Sequence, residues 1–421
     1  MSFAEEKKVD DHQEDGLIQG LTTCVVGGGS SAHVLIPLLA EAGHRMHLLT
    51  RRPDDWGDDI YCDMTDGDSG LVTSTHCGTL SKKSSDPAEV IPEADIIVLC
   101  MPVHQYRPAL IRLAPYVSRD KPVFIGTIYG QGGFNWMVHS DVEKKYGLNN
   151  ITTFAIGSIP WICRTTCYGH RSANYGSKDL NLVAVSPSDQ FDKLNNILLN
   201  DISFRPFNRG KFRQVCSFVS LTMSVDNQVL HPARCFGLWK RYKGVWEDQA
   251  SVPFFYKDFD ELSADILKNL DADYTNVRNA IKKHFPDRPF QYMLNYTDLE
   301  KLNHNSSHVD ILASLRDSKQ LASIKTPSVE GDDGRYRLDT DFRFFTDDIP
   351  YGLLIAKWFA ERLNVATPHI DEVITWAQNL RGESFLDANG KINLDFCLKE
   401  KCLSGIPEAY GFSSLTEDLL D

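Results

Sequence analysis

Three consecutive glycines stand where an apolar run meets a helix-like segment, directly after Leu21–Val26. Gly27, Gly29 and Ala32 fit the pattern G-x-G-x-x-G/A, which makes a tight turn, lets the backbone approach a pyrophosphate and allows close helix packing. Backbone N–H groups and the helix dipole would stabilise the phosphate charge. Many triple-glycine turns are only turns, but this one lies within a β-α-β pattern of about 30 residues, as the dinucleotide motif requires. The predicted cofactor contacts here are Gly27, Gly28, Gly29, Ser30 and Ala32.

The end of the next apolar run bears on the type of dinucleotide. NAD-binding folds usually place Asp or Glu about 20 residues beyond the glycine loop. This chain has Arg51 and Arg52 there instead. Guanidinium groups can stack on adenine and bind a 2′-phosphate. We therefore expect NAD(P)H, with NADPH slightly favoured; the alternative is a solvated basic turn paired with Asp54 and Asp55.

The elements that must position these residues alternate in the first half of the chain. Apolar runs at Leu21–Val26, Arg45–Leu49, Asp95–Cys100, Val123–Ile128, Ile151–Ile156 and Leu180–Val185 predict strands, and Ala32–Ala42 predicts a helix. Such alternation favours an α/β fold with a mostly parallel sheet covered on both faces. We expect a Rossmann-type dinucleotide-binding domain over residues 21–210.

The second half has a different pattern, in which helical periodicity dominates. We expect a mainly α-helical C-terminal domain over residues 211–421, with a polar surface loop across His304–Arg337. The predicted helices are Gln214–Leu230, Asp258–Asn269, Thr275–His284, Tyr351–Leu363 and Ile370–Leu380.

Composition narrows the class of protein. The 421 residues carry a net charge of −13, which does not call for nucleic acid or an anionic membrane. The ten cysteines show no C-x-x-C spacing, so reduced thiols, a cytoplasmic location and no metal site are expected. Residues 1–20 are predicted to be a disordered acidic tail without targeting character. No apolar run reaches the roughly 18 residues of a membrane span.

Several sequence blocks downstream resemble one known family. They include the block at 94–103, Gln131-x-Gly133-Phe134, Pro160–Arg164, Leu230–Trp239, Pro253–Tyr256, Arg343–Gly352 and Tyr410–Phe412. In order and spacing, from about Thr22 to Leu420, the chain resembles the opine dehydrogenases. The resemblance implies condensation of an amino acid with a 2-oxo acid, commonly pyruvate, and reduction of the imine by NAD(P)H. It also implies that a Rossmann domain and a helical domain bind these substrates between them.

The resemblance assigns the proton chemistry to His231 and Asp348. Imidazole exchanges protons near neutral pH, and a carboxylate partner fixes its tautomer. Pro232 disfavours a helical conformation at His231, so we expect a break there that presents the ring to the cleft. The alternative for His231 is a structural histidine whose hydrogen bonds are made within the core. The alternative for Asp348 is an aspartate that only caps a helix, and Asp347 is another candidate for that cap.

Other residues are matched to the binding walls. Arg343 would bind a carboxylate or phosphate, because guanidinium makes bidentate bonds to both. Gln131, Trp161 and Cys163 match the substrate side, although a buried Cys163 that only packs is favoured over a nucleophile. Met101 and Pro102 end the third strand where the dinucleotide would pass.

One position departs from the family pattern. Octopine dehydrogenase, a member of the family, has an acidic residue just upstream of the Pro-Trp-x-Cys block, where this chain has Gly157 and Ser158. We therefore expect an amine partner that is small or uncharged at its far end, and a monomer or small homo-oligomer. The open alternatives are a Rossmann dehydrogenase of 2-hydroxy acids or polyol phosphates, and a non-catalytic dinucleotide sensor.

Overall fold

A computed structural model describes residues 20–67, 69–304, 311–316, 321–399 and 404–421. The predicted tail at 1–20 therefore lies, except for Gly20, outside the described residues. Among the helices that are described, none combines the length and apolar character needed to cross a bilayer. Apart from Cys397, the described cysteines are free thiols.

A large mixed sheet forms the first half of the molecule. Its spatial order is β11-β10-β7-β6-β5-β1-β2-β4-β3-β9-β8. The strands are β1 Thr22–Val26, β2 Arg45–Leu49, β3 Asp59–Thr65, β4 Val72–Ser84, β5 Ile96–Leu99, β6 Val123–Thr127, β7 Ile151–Ile156, β8 Trp161–Cys167, β9 Arg171–Ser177, β10 Leu180–Ser186 and β11 Lys211–Gln214.

The centre of the sheet is parallel, and β1 lies at its switch point. β1 pairs in parallel with β2 on one side and with β5 on the other. In open α/β sheets, ligands bind beyond the carboxyl ends of the strands at such a point. The glycine turn after β1 and Met101 after β5 therefore emerge at the same edge, and the predicted Rossmann-type fold is confirmed.

The side chains of β1 alternate between two cores. Cys24 and Val26 face one core, and Val25 faces the other. The first core also contains buried residues of the C-terminal helices, such as Leu230 and Phe359, so the two halves of the chain share it. The second core packs α1 (Ser30–Glu41) against the opposite face of the sheet.

Helices dominate after the sheet ends at Gln214, four residues past the predicted domain limit at 210. A small sheet of β12 Val245–Trp246, β13 Ser328–Glu330 and β14 Tyr336–Leu338 accompanies them. The remaining helices are α2 Pro87–Val90, α3 Tyr106–Leu113, α4 Phe134–Val138, α5 Phe191–Leu194, α6 Asn200–Ile202, α7 Phe204–Phe207, α8 Phe218–Met223, α9 Asn227–Tyr242, α10 Glu261–His284, α11 Tyr296–His304, α12 Ile311–Arg316, α13 Arg343–Thr346, α14 Leu354–Leu363, α15 Pro368–Arg381 and α16 Leu394–Cys397.

Three predictions about the second half are wrong. The single helix expected at Gln214–Leu230 is divided into α8 and α9, and Gln214 itself ends β11. The expected surface loop at His304–Arg337 contains α12, β13 and part of β14, while residues 305–310 and 317–320 lie outside the described residues. The expected break at His231 is absent, since α9 passes through both His231 and Pro232. Every residue from Gln228 to Leu238 is buried, and this packing outweighs the local preference against helix before proline.

Candidate active site

The glycine turn has the backbone geometry that the motif requires. Gly27 has φ +114°, and a Cβ atom at this position would lie 2.4 Å from the Cys100 carbonyl oxygen. Gly29 is the N-cap of α1, and no side chain among the described residues caps this helix. The N-terminus of α1 is therefore open to an anion, as a pyrophosphate site needs.

A cavity of about 410 Å³ begins at this turn and runs toward the end of β2. Arg51, Arg52 and Arg112 line it, and no carboxylate is found among its described lining residues. Arg52 pairs with Asp55 at 3.4 Å and lies over the Tyr168 ring, whereas Arg51 has no ion pair with a described residue. The solvated-turn interpretation thus fits Arg52 in part and leaves Arg51 available.

A larger cavity of about 820 Å³ adjoins the first at Gly29, Met101 and Pro102. Residues of both halves form its walls. From the first half they include Ser30, Tyr129, Ile159, Trp161, Cys163 and Arg164; from the second half they include Tyr256, Lys325, Arg343, Phe344, Asp347 and Asp348. A dinucleotide held at the glycine turn would therefore reach a cleft built by both halves.

The structure brings the side chains of His231 and Asp348 together. His231 Nδ1 lies 2.8 Å from Asp348 Oδ2, and both side chains are buried. The imidazole stacks on Phe344 with ring centroids 3.8 Å apart. Its Nε2 atom lies 3.4 Å from the Tyr256 hydroxyl. The Asp348 side chain makes no capping hydrogen bond to the helical segment Ile349–Leu353 that follows it, and the hydrogen bond described for its carboxylate goes to His231.

Burial disfavours the charged form of each member of this pair. Desolvation lowers the pKa of His231 well below its ordinary value, and the positive charge of Arg343 lowers it further. Desolvation raises the pKa of Asp348 well above its ordinary value, against the opposing effect of Arg343. The resting imidazole is therefore neutral, which leaves it able to accept a proton.

Two arginines give the cleft its positive charge. Arg343 and Arg164 both line it, and among the described residues neither makes an ion pair. Both lower the pKa of Tyr256, although desolvation dominates and raises that pKa to about 12. The two guanidinium groups thus act on the same hydroxyl from the cleft, and each can bind an anion.

Asp347 lies on the same cleft wall, and its carboxylate joins the two halves. Its carboxylate accepts hydrogen bonds from the backbone N–H groups of Val103 and His104 at 3.1 and 3.0 Å, and lies 2.5 Å from His104 Nδ1. Val103 and His104 begin the turn that leads from Pro102 into α3. These bonds serve a turn of the sheet domain, and none of the bonds described for Asp347 caps the helical segment Ile349–Leu353 that the suggested cap would have served.

The other predicted substrate-side residues lie at different positions relative to the cleft. Cys163 lies on the cleft wall, and burial raises the pKa of its thiol to about 11, which is consistent with packing and not with a nucleophile. The Trp161 indole donates to the Ile202 carbonyl at 2.7 Å, so it also braces the wall. Gln131 is buried and accepts a hydrogen bond from the Tyr129 hydroxyl at 3.2 Å. Its direct contact with substrate stays a prediction.

Ser30 and Ala32 have different structural roles at the start of α1. The Ser30 hydroxyl accepts from the Thr165 backbone N–H at 3.1 Å, which docks β8 on the glycine turn. Ala32 is fully buried beneath the helix, the packing role that the motif gives its third small residue.

Several site residues escaped the sequence reasoning. Tyr256 and Arg164 belong to blocks that carry the family resemblance, but their types alone gave no role. Tyr168 and Arg112 reach the first cavity from elements distant in sequence. Only the positions of Arg164 and Tyr256 within conspicuous motifs offered a signal.

Comparison with known proteins covers nearly the whole chain. The family described as NAD/NADP octopine/nopaline dehydrogenase, alpha-helical domain, matches residues 214–381. Octopine dehydrogenase of Pecten maximus is 26% identical over 416 residues, which cover 93% of this chain and 97% of that protein. Tauropine dehydrogenase of Arabella iricolor is 26% identical over 419 residues, covering 94% and 98%. A solved octopine dehydrogenase with NADH and L-arginine has the same fold, with a TM-score of 0.75 at 23% identity over 94% of this chain and 96% of that one.

Proposed function

We propose that this chain, which is similar over nearly its whole length to octopine and tauropine dehydrogenases, condenses an amino acid with a 2-oxo acid such as pyruvate and reduces the product with NAD(P)H. The observation that carries this proposal is the position of the buried His231–Asp348 pair. It lies beside a cleft that continues directly from the glycine turn. A proton-exchanging group and a dinucleotide site thus serve one chamber, as a reductive condensation requires.

The coenzyme fits the residues around the glycine turn. Gly27–Gly29 and the open N-terminus of α1 would hold the pyrophosphate, and Met101 and Pro102 would border the path of the dinucleotide into the cleft. A bound NAD(P)H supplies the hydride. We favour NADPH slightly, because Arg51 and Arg112 line the first cavity without a carboxylate among its described residues.

The acid groups of the substrates would be bound by two arginines. An opine carries two acid groups, one from each partner. Arg343, beside the histidine pair, would bind the carboxylate of the 2-oxo acid, and Arg164 across the cleft would bind the acid group of the amine partner. An amino acid, and not a simple alkylamine, is then the preferred amine.

The far end of the amine meets an uncharged wall. Gly157 and Ser158 are buried, and a Cβ atom at Gly157 would lie 3.1 Å from Leu221 Cδ2. From this segment, the cleft wall begins at Ile159. Ser158 accepts a hydrogen bond from Lys178, which adds a positive charge behind this wall. Glycine, alanine, β-alanine and taurine suit such a site better than arginine does.

A grid of oxidation assays tests the function. NADH and NADPH are each combined with pyruvate and with glycine, alanine, β-alanine, taurine or arginine, and the loss of absorbance is followed. We expect oxidation that requires both pyruvate and a small amine. Glycinamide in place of glycine should lower kcat/KM, because the acid group that Arg164 binds is missing.

Other outcomes of the grid identify the alternatives. Oxidation with a 2-oxo acid and no amine would reassign the enzyme to hydroxy-acid chemistry. Dinucleotide binding without turnover on any pair would indicate a sensor. A best rate with arginine would overturn the argument from Gly157.

A further inference from the structure

The catalytic histidine is sealed from the cleft that it serves. His231 has a relative exposure of 0%, with Phe344 stacked on one face and Phe255 at its edge, 5.6 Å between ring centroids. Asp348 occupies Nδ1. The remaining ring nitrogen, Nε2, lies within hydrogen-bonding distance of the Tyr256 hydroxyl, at 3.4 Å.

Tyr256, in contrast, reaches the cleft. It is a wall residue of the 820 Å³ cavity and retains 9% exposure. Phe255, its neighbour in sequence, packs edge-on to His231 and fixes the ring pair from behind. Tyr256 therefore contacts the buried imidazole through its hydroxyl and also lines the cavity that would hold the substrates.

We propose that the Tyr256 hydroxyl carries the proton between His231 and the reacting substrates, so that the histidine acts without touching them. This inference rests on the proposed function. A hydroxyl suits the task because it donates one hydrogen while its oxygen accepts another. A phenylalanine at this position would fill the same space without that capacity.

In the direction of condensation, the amine attacks the 2-oxo acid to give a carbinolamine, whose C–O bond must break. Tyr256 gives its hydroxyl proton to the departing oxygen, which leaves as water, and the tyrosine oxygen takes the Nε2 proton of neutral His231. The protonated carboxyl group of Asp348 replaces that proton at Nδ1, so His231 stays neutral. The imine carbon then receives the hydride that a bound NAD(P)H would supply, and Asp348 regains its proton from solvent before the next turnover.

Hydroxyl chemistry is also consistent with the surroundings of Tyr256. Arg343 and Arg164 line the same cavity as Tyr256, and both positive charges act on its hydroxyl. The reacting carbon lies between the two acid groups of an opine. Acid groups bound by the two arginines would therefore place that carbon in the cavity that Tyr256 lines.

Tyr256→Phe tests the relay in the full-length protein. We expect kcat to fall on the order of 100-fold, while the KM values of pyruvate and the amine change by less than about threefold. The dissociation constant of NADH, measured by its fluorescence, should stay at the wild-type value. Tyr116→Phe removes an exposed hydroxyl elsewhere and is the matched control, with wild-type kcat expected.

A second variant tests the same role by chemical rescue, in case the first variant disturbs packing. Tyr256→Ala opens space for a small phenol, and added phenol should restore part of kcat, whereas benzene, which lacks the hydroxyl, should not. Wild-type kcat in Tyr256→Phe would overturn the relay, because the substrate would then reach His231 directly. Equal effects of phenol and benzene would also overturn it. Failure of the proposed function is distinct: the wild-type protein itself would then show no amine-dependent oxidation.

Discussion

Among the described contacts, the Asp348 carboxylate is hydrogen-bonded to His231 alone. Replacing its carboxyl group by an amide leaves the imidazole in place but without a partner that can exchange a proton with Nδ1 and fix the tautomer. Asp348→Asn should therefore lower kcat by about 100-fold, within the range that general acid–base catalysis contributes. His231→Ala should abolish hydride transfer. Equilibrium titration with NADPH should give near wild-type affinity for both variants, and a lost coenzyme affinity would assign the pair a structural role instead.

Arg51 is the residue through which the choice of coenzyme can be tested. It lines the first cavity and has no ion pair with a described residue, so its guanidinium is available to a 2′-phosphate. Charge-assisted hydrogen bonds contribute about 1.5–3 kcal/mol, which corresponds to roughly 10-fold or more in affinity. Arg51→Ala should weaken NADPH by that factor and leave NADH nearly unchanged. Arg119→Gln, an exposed arginine on another surface, is the control, and equal weakening of both coenzymes would return Arg51 to the solvated turn.

At the scale of elements, two glycines in the turn between β1 and α1 have different roles, one in the stability of the fold and one in coenzyme binding. Gly27 has a positive φ and abuts the Cys100 carbonyl, so Gly27→Ala should destabilise the protein by about 1–3 kcal/mol, measured by chemical unfolding. Gly29 has φ −78° and meets Cys100 only at 3.8 Å, so Gly29→Ala should fold normally. Its methyl group would intrude where the pyrophosphate approaches, and the dissociation constant of NADPH should rise. Normal coenzyme affinity in a folded Gly29→Ala would contradict this placement of the pyrophosphate.

Strands buried on both faces were predictable, because they appear in the sequence as continuous apolar runs. Elements whose conformation depends on contacts with distant residues were not predictable. The six predicted strands all occur, because continuous apolar runs such as Ile96–Leu99 mark buried parallel strands. β4, with its exposed and mostly polar residues at Val72–Ser84, gave no such signal. The break predicted at His231 failed for a related reason, since the local effect of Pro232 competes with the burial of α9 on all sides.

For the molecule as a whole, the sequence predicted an α/β first half and a mainly helical second half. It could not show how the two halves pack against each other. The helical half and one face of the sheet share a single core, which needs contacts between residues far apart in the chain. The histidine pair was accessible through the family resemblance. Tyr256 and Arg164 became visible as site residues only when folding placed them on one cleft.

Asp347 provides a test of this joining. Its buried carboxylate accepts the N–H groups of Val103 and His104 across the boundary between the halves. Asp347→Asn retains one acceptor oxygen but loses the charge, which should cost about 1–3 kcal/mol. We expect a lower Tm and a smaller gain in Tm when NADPH is added. His104→Ala removes only the side-chain contact and should give a milder effect; an unchanged Tm in Asp347→Asn would mean that the junction does not depend on it.

Neighbouring aspartates thus bind different partners: Asp347 binds the turn that follows Met101 and Pro102, and Asp348 binds the imidazole of His231. We expect a shift of that turn on dinucleotide binding to reach the histidine, because one peptide bond joins the two aspartates. Binding of the dinucleotide would then precede that of the amine and the oxo acid, an order that product-inhibition kinetics would reveal.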